Sequence, residues 1–139
     1  MLFRSPASRP VLAFVLVPAW MKAPRADLQA RLAAGTAESS AIGEPTVTHE
    51  LHNTDSDAIL GRIRQLGFAS ADPAKVQVVY VPSYLNGYDG IFNMDYYEIL
   101  CGLDATAFPS YYEPWGYTPL ESVAFGIPTI TTSLSGFGQ

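Results

Sequence analysis

Residues 105–131 read ATAFPSYYEPWGYTPLESVAFGIPTIT, and the order of elements within them sets the fold class. Residues 105–108 have the character of a short strand, residues 118–125 of a helix and residues 129–131 of a second strand, the alternation that builds a parallel sheet. Thr118-Pro119-Leu120-Glu121 has the form of a capping box with proline at the first helical position. In that geometry the Thr118 hydroxyl accepts from the Glu121 amide, and the Glu121 carboxylate reaches back to the Thr118 amide. The helix would then begin at Thr118, with Gly116 just ahead of it. Free N–H groups and the helix dipole at such a start favour an anion, for example a diphosphate. Because the helix follows a parallel strand, its start lies at the carboxyl edge of the sheet, where such folds bind ligands. Gly116 permits close backbone approach, and Glu113 sits in the turn leading to the same crevice.

The same alternation extends upstream. Residues 11–17 (VLAFVLV) are apolar without alternation, which predicts a strand covered on both faces. Residues 25–34 read as a short helix ended by Gly35, and residues 35–50, rich in Gly, Ser, Thr and Glu, as a loop. Thr54-Asp55-Ser56 can cap a helix that carries Ile59, Ile63 and Leu66 on one face and stops at Gly67. Residues 75–81 (KVQVVYV) form a further strand closed by Pro82, and residues 95–102 a helix with Tyr96, Ile99 and Leu100 available for packing. The fold class is therefore α/β, a Rossmann-like parallel sheet with flanking helices. Tyr80, Tyr84, Tyr88, Phe92 and Tyr96 recur every four residues, but Pro82, Gly87 and Gly90 interrupt them, so this is no helical stripe.

Composition bounds the function. With 139 residues, 48% of them hydrophobic and 15% charged, the chain falls among folded single domains. No apolar run approaches the ~18 residues of a membrane span. Arg4 and Arg9 ahead of residues 11–17 loosely mimic a signal peptide, but the run is short, rich in Val and followed by Pro18 and Trp20. A net charge of −5 argues against a nucleic-acid partner. The single cysteine, Cys101, forms no internal disulfide and suits a reducing, cytoplasmic compartment. His49 and His52 are three residues apart without further ligands at suitable spacing, which predicts no metal site. The chain stops at Gly138-Gln139, soon after a strand that should feed another helix, as expected of a piece of a longer protein.

Each notable residue in 108–137 also has a plain structural reading. Capping alone explains Glu121, packing explains Trp115 and the pair Tyr111-Tyr112, and Glu113 beside Pro114 suits a solvated loop acid. The combination is more specific: two carboxylates with seven residues between them, flanking a glycine and a helix start.

Glu113 and Glu121 in this spacing resemble the E-x7-E motif of retaining glycosyltransferases with the two-domain GT-B fold. The longer string YYEPWGYTPLE, followed by GIPTITTSLSGFG, is similar to the glycogen synthases of animals, fungi and related bacteria. The resemblance is strongest over residues 75–138 and continues more loosely through THELHNTDSDAI and VLAFVLVPAW. It implies that residues 1–139 are part of a C-terminal, nucleotide-sugar-binding domain, with the N-terminal acceptor domain absent.

The resemblance also implies roles, position by position. Glu113 would contact the donor glucose and be needed for catalysis. The backbone amides of Trp115 and Gly116 would hold glucose hydroxyls, and Tyr117 and Thr118 would set amides against the donor diphosphate. Glu121 would bind the ribose hydroxyls, and Tyr96 would stack on the base. The implied chemistry moves glucose from UDP-glucose or ADP-glucose to the 4-hydroxyl of an α-1,4-glucan with retention. No cofactor is implied beyond that donor, and the partners are a nucleotide sugar and a glucan. A retaining hydrolase sets two carboxylates about 5 Å apart around one bond, whereas one of this pair is implied at the ribose, so a front-face reaction fits better than a covalent nucleophile.

Two departures from the pattern stand out. Asp104 occupies a place where animal and fungal members often carry histidine, and residues 1–10 offer no convincing Arg or Lys for the diphosphate. The chain alone is therefore expected to be inactive as a synthase. Two other readings compete: a non-catalytic nucleotide-sugar-binding module, and a hydrolase or phosphorylase-like enzyme on the same fold.

Overall fold

The computed structural model describes residues 11–35, 47–68 and 76–139. In chain order the elements are β1 (Leu12–Leu16), β2 (Met21–Pro24), α1 (Ala26–Ala34), β3 (His49–Leu51), α2 (Ala58–Gln65), β4 (Gln77–Val81), α3 (Tyr96–Leu100), β5 (Thr106–Phe108), α4 (Tyr117–Ala124) and β6 (Thr129–Thr131). They fall into two units, Met1–Asn93 and Met94–Gln139.

In the first unit β1 and β4 pair in parallel, Leu12 opposite Gln77 through Leu16 opposite Val81. The core gathers Leu51, Leu60, Ile63 and Tyr80, with Val15, Ala19, Met21, Val47, Ile59, Phe68 and Val78 packed against them. Tyr80 and Val81 are fully buried, and besides its pairing with β1, Tyr80 of β4 forms an isolated parallel bridge with Val47. The apolar run 11–17 is not covered on both faces: Leu12 is exposed and the rest of β1 is half-buried.

Helix α1 ends at Gly35, whose left-handed φ of 62° lets its amide bond back to Leu32. Helix α2 is capped by Asp57, whose carboxylate accepts from the Leu60 amide at 2.8 Å. Capping therefore falls just after the predicted Thr54-Asp55-Ser56, and the Thr54 hydroxyl donates to the Leu51 carbonyl instead. Leu60 and Ile63 are buried on α2 and Ile59 packs beside them, while Leu66 turns outward where the helix ends. Gly67 follows with φ 74°, as expected of a helix stop.

An antiparallel pair, β2 with β3, was not legible in the sequence. It places His49 in a strand rather than in the predicted 35–50 loop, of which residues 36–46 lie outside the described residues. Tyr80 lies in β4, Tyr84 and Tyr88 in a loop through Gly87 and Gly90, and Tyr96 opens α3, which disposes of the helical stripe.

The second unit is a β5–α4–β6 crossover with β5 and β6 parallel, Thr106 opposite Thr129 and Phe108 opposite Thr131. Its interior holds Leu100 and Ile127 together with a cluster of hydroxyls. Ser122, fully buried on α4, bonds Thr106 Oγ1 at 2.7 Å and Thr129 Oγ1 at 2.9 Å. Burying a polar side chain on the inner face of a helix is tolerable only because these partners satisfy it. The α/β class with parallel strands and flanking helices thus holds, and the parallel strands form one pair in each unit.

Candidate functional site

The residues singled out by sequence all lie in the second unit, on α3, the turn after β5 and the start of α4. After Phe108 the chain turns through residues 109–116. The Ser110 hydroxyl donates to Glu113 Oε2 at 3.0 Å, and Thr132 donates its hydroxyl to the Ser110 carbonyl. The Glu113 backbone forms a parallel bridge with Ser135, and its carbonyl accepts from the Gly136 amide at 2.9 Å. Glu113 is half-buried, not a freely solvated loop acid.

The two glycines let this turn and the segment after β6 close on each other. A Cβ on Gly136 would run into the Pro114 carbonyl oxygen, and one on Gly116 would lie 3.0 Å from Phe137 Cβ. Gly116 is buried and holds φ 94°, a left-handed conformation that side-chain-bearing residues rarely adopt.

That φ moves the helix start. Gly116 is the N-cap of α4 and Tyr117 is already helical, with no side chain capping the first turn. The predicted capping box at Thr118 does not form, because Thr118 is the second residue inside the helix. Pro119 is the third, a place where a missing N–H costs no intrahelical bond. Among the described residues the amides of Tyr117 and Thr118 have no intrahelical partner, so an anion-favouring helix start is present, with its cap at Gly116, two residues before the expected cap at Thr118.

Glu121, too far along the helix to cap it, is engaged elsewhere. Its Oε1 accepts from the Tyr97 hydroxyl at 3.0 Å. Tyr97 also stacks on Phe125, ring centroids 5.5 Å apart at 26°, and lies 5.5 Å from the Tyr96 ring at 60°. The hydrogen bond to the Glu121 carboxylate and its charge push the Tyr97 phenol above its ordinary pKa. Tyr96, half-buried, is raised first by burial and then by the same carboxylate. Both effects favour the neutral phenol. The structure thus groups Tyr96, Tyr97 and Glu121, and separately Glu113 with Trp115 and Gly116 around the turn.

Tyr97 and Ser110 are the partners that sequence reading missed. The adjacent Tyr96-Tyr97 pair was the only signal for the first. Tyr111 and Tyr112 are 92% and 82% exposed, and Trp115 and Tyr117 are also exposed, tilted against each other at 6.3 Å. None of these four aromatics packs a core. From Met94 onward the chain carries Asp95, Glu98, Asp104, Glu113 and Glu121 and no Lys, Arg or His.

The two histidines are in the first unit. His49 is buried, with Nε2 2.8 Å from the Asp89 carbonyl and Nδ1 2.8 Å from Thr48 Oγ1. His52 stacks on Trp20 at 4.3 Å. Among the described residues no group of three or more His, Cys, Asp or Glu could hold a metal ion, and no helix is long and apolar enough to cross a membrane.

Comparison with known proteins matches residues 27–139 to the family model described as glycogen synthase. The chain is 44% identical over 94 residues to glycogen [starch] synthase isoform 2 of Saccharomyces cerevisiae, covering 68% of this chain and 13% of that protein. The liver glycogen [starch] synthase of Homo sapiens matches with the same identity over the same shares. The chain therefore spans about 13% of the length of the curated relatives it matches.

Proposed function

Since the chain belongs to the glycogen synthase family, whose GT-B, Rossmann-like architecture suits its parallel strands and flanking helices, we propose that it is part of the donor-binding half of a retaining glucosyltransferase. The reaction moves glucose from UDP-glucose or ADP-glucose to the 4-hydroxyl of an α-1,4-glucan. The bond from glucose C1 to the diphosphate oxygen breaks, a bond from C1 to the acceptor oxygen forms, and the acceptor's proton leaves with the nucleoside diphosphate. The nucleotide sugar is a substrate, and no resident cofactor is proposed. A cytoplasmic setting fits that donor.

One observation carries the reading: Glu121 is not a cap. Its carboxylate stands beside Tyr96 and Tyr97, on a helix whose uncapped start follows the Glu113 turn. Tyr96 then takes the base, Glu121 the ribose hydroxyls, and the amides of Tyr117 and Thr118 the diphosphate. The Trp115 and Gly116 amides take glucose hydroxyls, and Glu113 contacts the glucose near the reacting carbon. Glu113 is fixed twice, by Ser110 at its carboxylate and by Gly136 at its carbonyl, which supports a role needing fixed geometry. Charge building on the departing diphosphate is met by helix-start amides. Positive side chains for it come from outside residues 94–139, which hold none. The acceptor-binding half likewise lies outside this chain.

The test is an assay of the complete gene product carrying this chain, with labelled UDP-glucose and ADP-glucose and glycogen as acceptor. Label appearing in α-1,4 linkage with either donor supports the reading. Binding of donor without transfer would favour the non-catalytic module, and release of glucose or glucose phosphate from glucan without any nucleotide would favour a hydrolase or phosphorylase.

A further inference from the structure

Tyr97 stands outside the roles just assigned, yet it makes the one hydrogen bond to the Glu121 carboxylate seen among the described residues. Phe125 is the C-cap of α4, four residues after Glu121, and its amide bonds the Glu121 carbonyl, so the two lie on one side of that helix. Tyr97, on α3, spans the same face: its ring stacks on Phe125 and its hydroxyl reaches Glu121 Oε1. The stack fixes the ring, and the fixed ring directs the hydroxyl. A carboxylate carried on a long, rotatable side chain is thereby held by one oxygen, leaving Oε2 and its lone pairs for a ligand.

We propose that Tyr97 is a positioning residue that holds Glu121 for the ribose hydroxyls of the donor, and thereby helps the site prefer ribonucleotides over 2′-deoxyribonucleotides. This rests on the reading of Glu121 as the ribose-binding carboxylate. A diol is recognised well by a carboxylate only when the oxygen lone pairs point at both hydroxyls, and the Tyr97 hydrogen bond removes the rotation that would spoil this. Tyr96, tilted against Tyr97 in the same cluster, is the ring assigned to the base, so one pair of adjacent residues serves both halves of the nucleoside.

The experiment uses Tyr97→Phe in the complete gene product, a change that keeps the ring on Phe125 and removes only the hydroxyl. Affinities are measured by calorimetry for uridine and adenosine diphosphates and for their 2′-deoxy counterparts, alongside donor KM and kcat. The expected result is a loss of roughly 3- to 10-fold for the ribonucleotide, the scale of one charge-assisted hydrogen bond acting indirectly. The deoxynucleotide should change little, and the kinetic loss should sit in KM more than in kcat. Equal weakening of both nucleotides, or no weakening, overturns the proposal. Glu121→Ala separates the two levels. Loss of ribose preference in Glu121→Ala but not in Tyr97→Phe sinks the Tyr97 role alone. Preference unchanged in Glu121→Ala sinks the ribose reading, and the Tyr97 role with it.

Discussion

The Glu113 carbonyl accepts a hydrogen bond of 2.9 Å from the Gly136 amide, and the backbone there passes so close that Gly136 has no room for a side chain against the Pro114 carbonyl. The turn that carries Glu113 is therefore held by the segment after β6 as well as by its own Ser110. Gly136→Ala should force the two segments apart and cost about 1–3 kcal/mol, as overpacking does. Denaturant unfolding measures the loss, and an unchanged midpoint would mean the two segments are not locked together.

Thr118→Ala should lower stability by less than about 0.5 kcal/mol, because Thr118 lies inside α4 and caps nothing. Asp95→Ala is the contrast. Asp95 accepts from the Glu98 amide while Glu98 returns to the Asp95 amide, each at 2.9 Å, so its removal should cost about 1 kcal/mol. Reversed magnitudes would restore the capping box at Thr118.

The same pair of substitutions shows what sequence can and cannot carry. Thr118–Glu121 and Asp95–Glu98 have the same spacing of a small capping residue and a glutamate, and only the second makes the box. The difference is Gly116, which in a left-handed conformation caps α4 two residues before the expected Thr118, and nothing local in the sequence announces that. Helix ends at Gly35 and Gly67 were legible because glycine is what a left-handed stop requires. Strand β1 was legible from an unbroken apolar run, although it proved less covered than such a run suggests, and β4 from the Val-rich stretch 78–81 closed by Pro82. Strands β2 and β3 were not, since four and three residues containing Lys22, Pro24 and Glu50 show neither alternation nor an apolar run. In the site, the E-x7-E spacing pointed to Glu113 and Glu121. The Tyr97 bond to Glu121 joins residues 24 apart and exists only once α3 and α4 are packed.

Asp57→Ala should cost about 0.5–2 kcal/mol by removing the cap of α2, whereas Asp55→Ala should be near neutral. Chemical denaturation of the two variants decides which residue caps the helix.

The raised phenol of Tyr97 makes a pH prediction. A folded pKa above the ordinary 10.0 means the folded chain keeps the proton longer than the unfolded one. The contribution to stability is complete below pH 10.0 and is lost as pH climbs through the higher folded value. Tyr97→Phe should therefore flatten the decline of stability on the alkaline side, measured by unfolding across that range. Phenolate absorbance should show one fewer late-titrating tyrosine. An unchanged alkaline profile would contradict the hydrogen bond to Glu121.

The most direct test of the central claim is glucose transfer by the complete gene product carrying Glu113→Gln, beside a thermal-unfolding control. The substitution keeps size and can still accept from Ser110, so the fold should be retained while transfer from UDP-glucose or ADP-glucose to glycogen falls by at least about 100-fold, the scale of losing a group that acts in the transition state. Full activity in a folded Glu113→Gln variant would contradict the assignment of this turn to the reacting glucose.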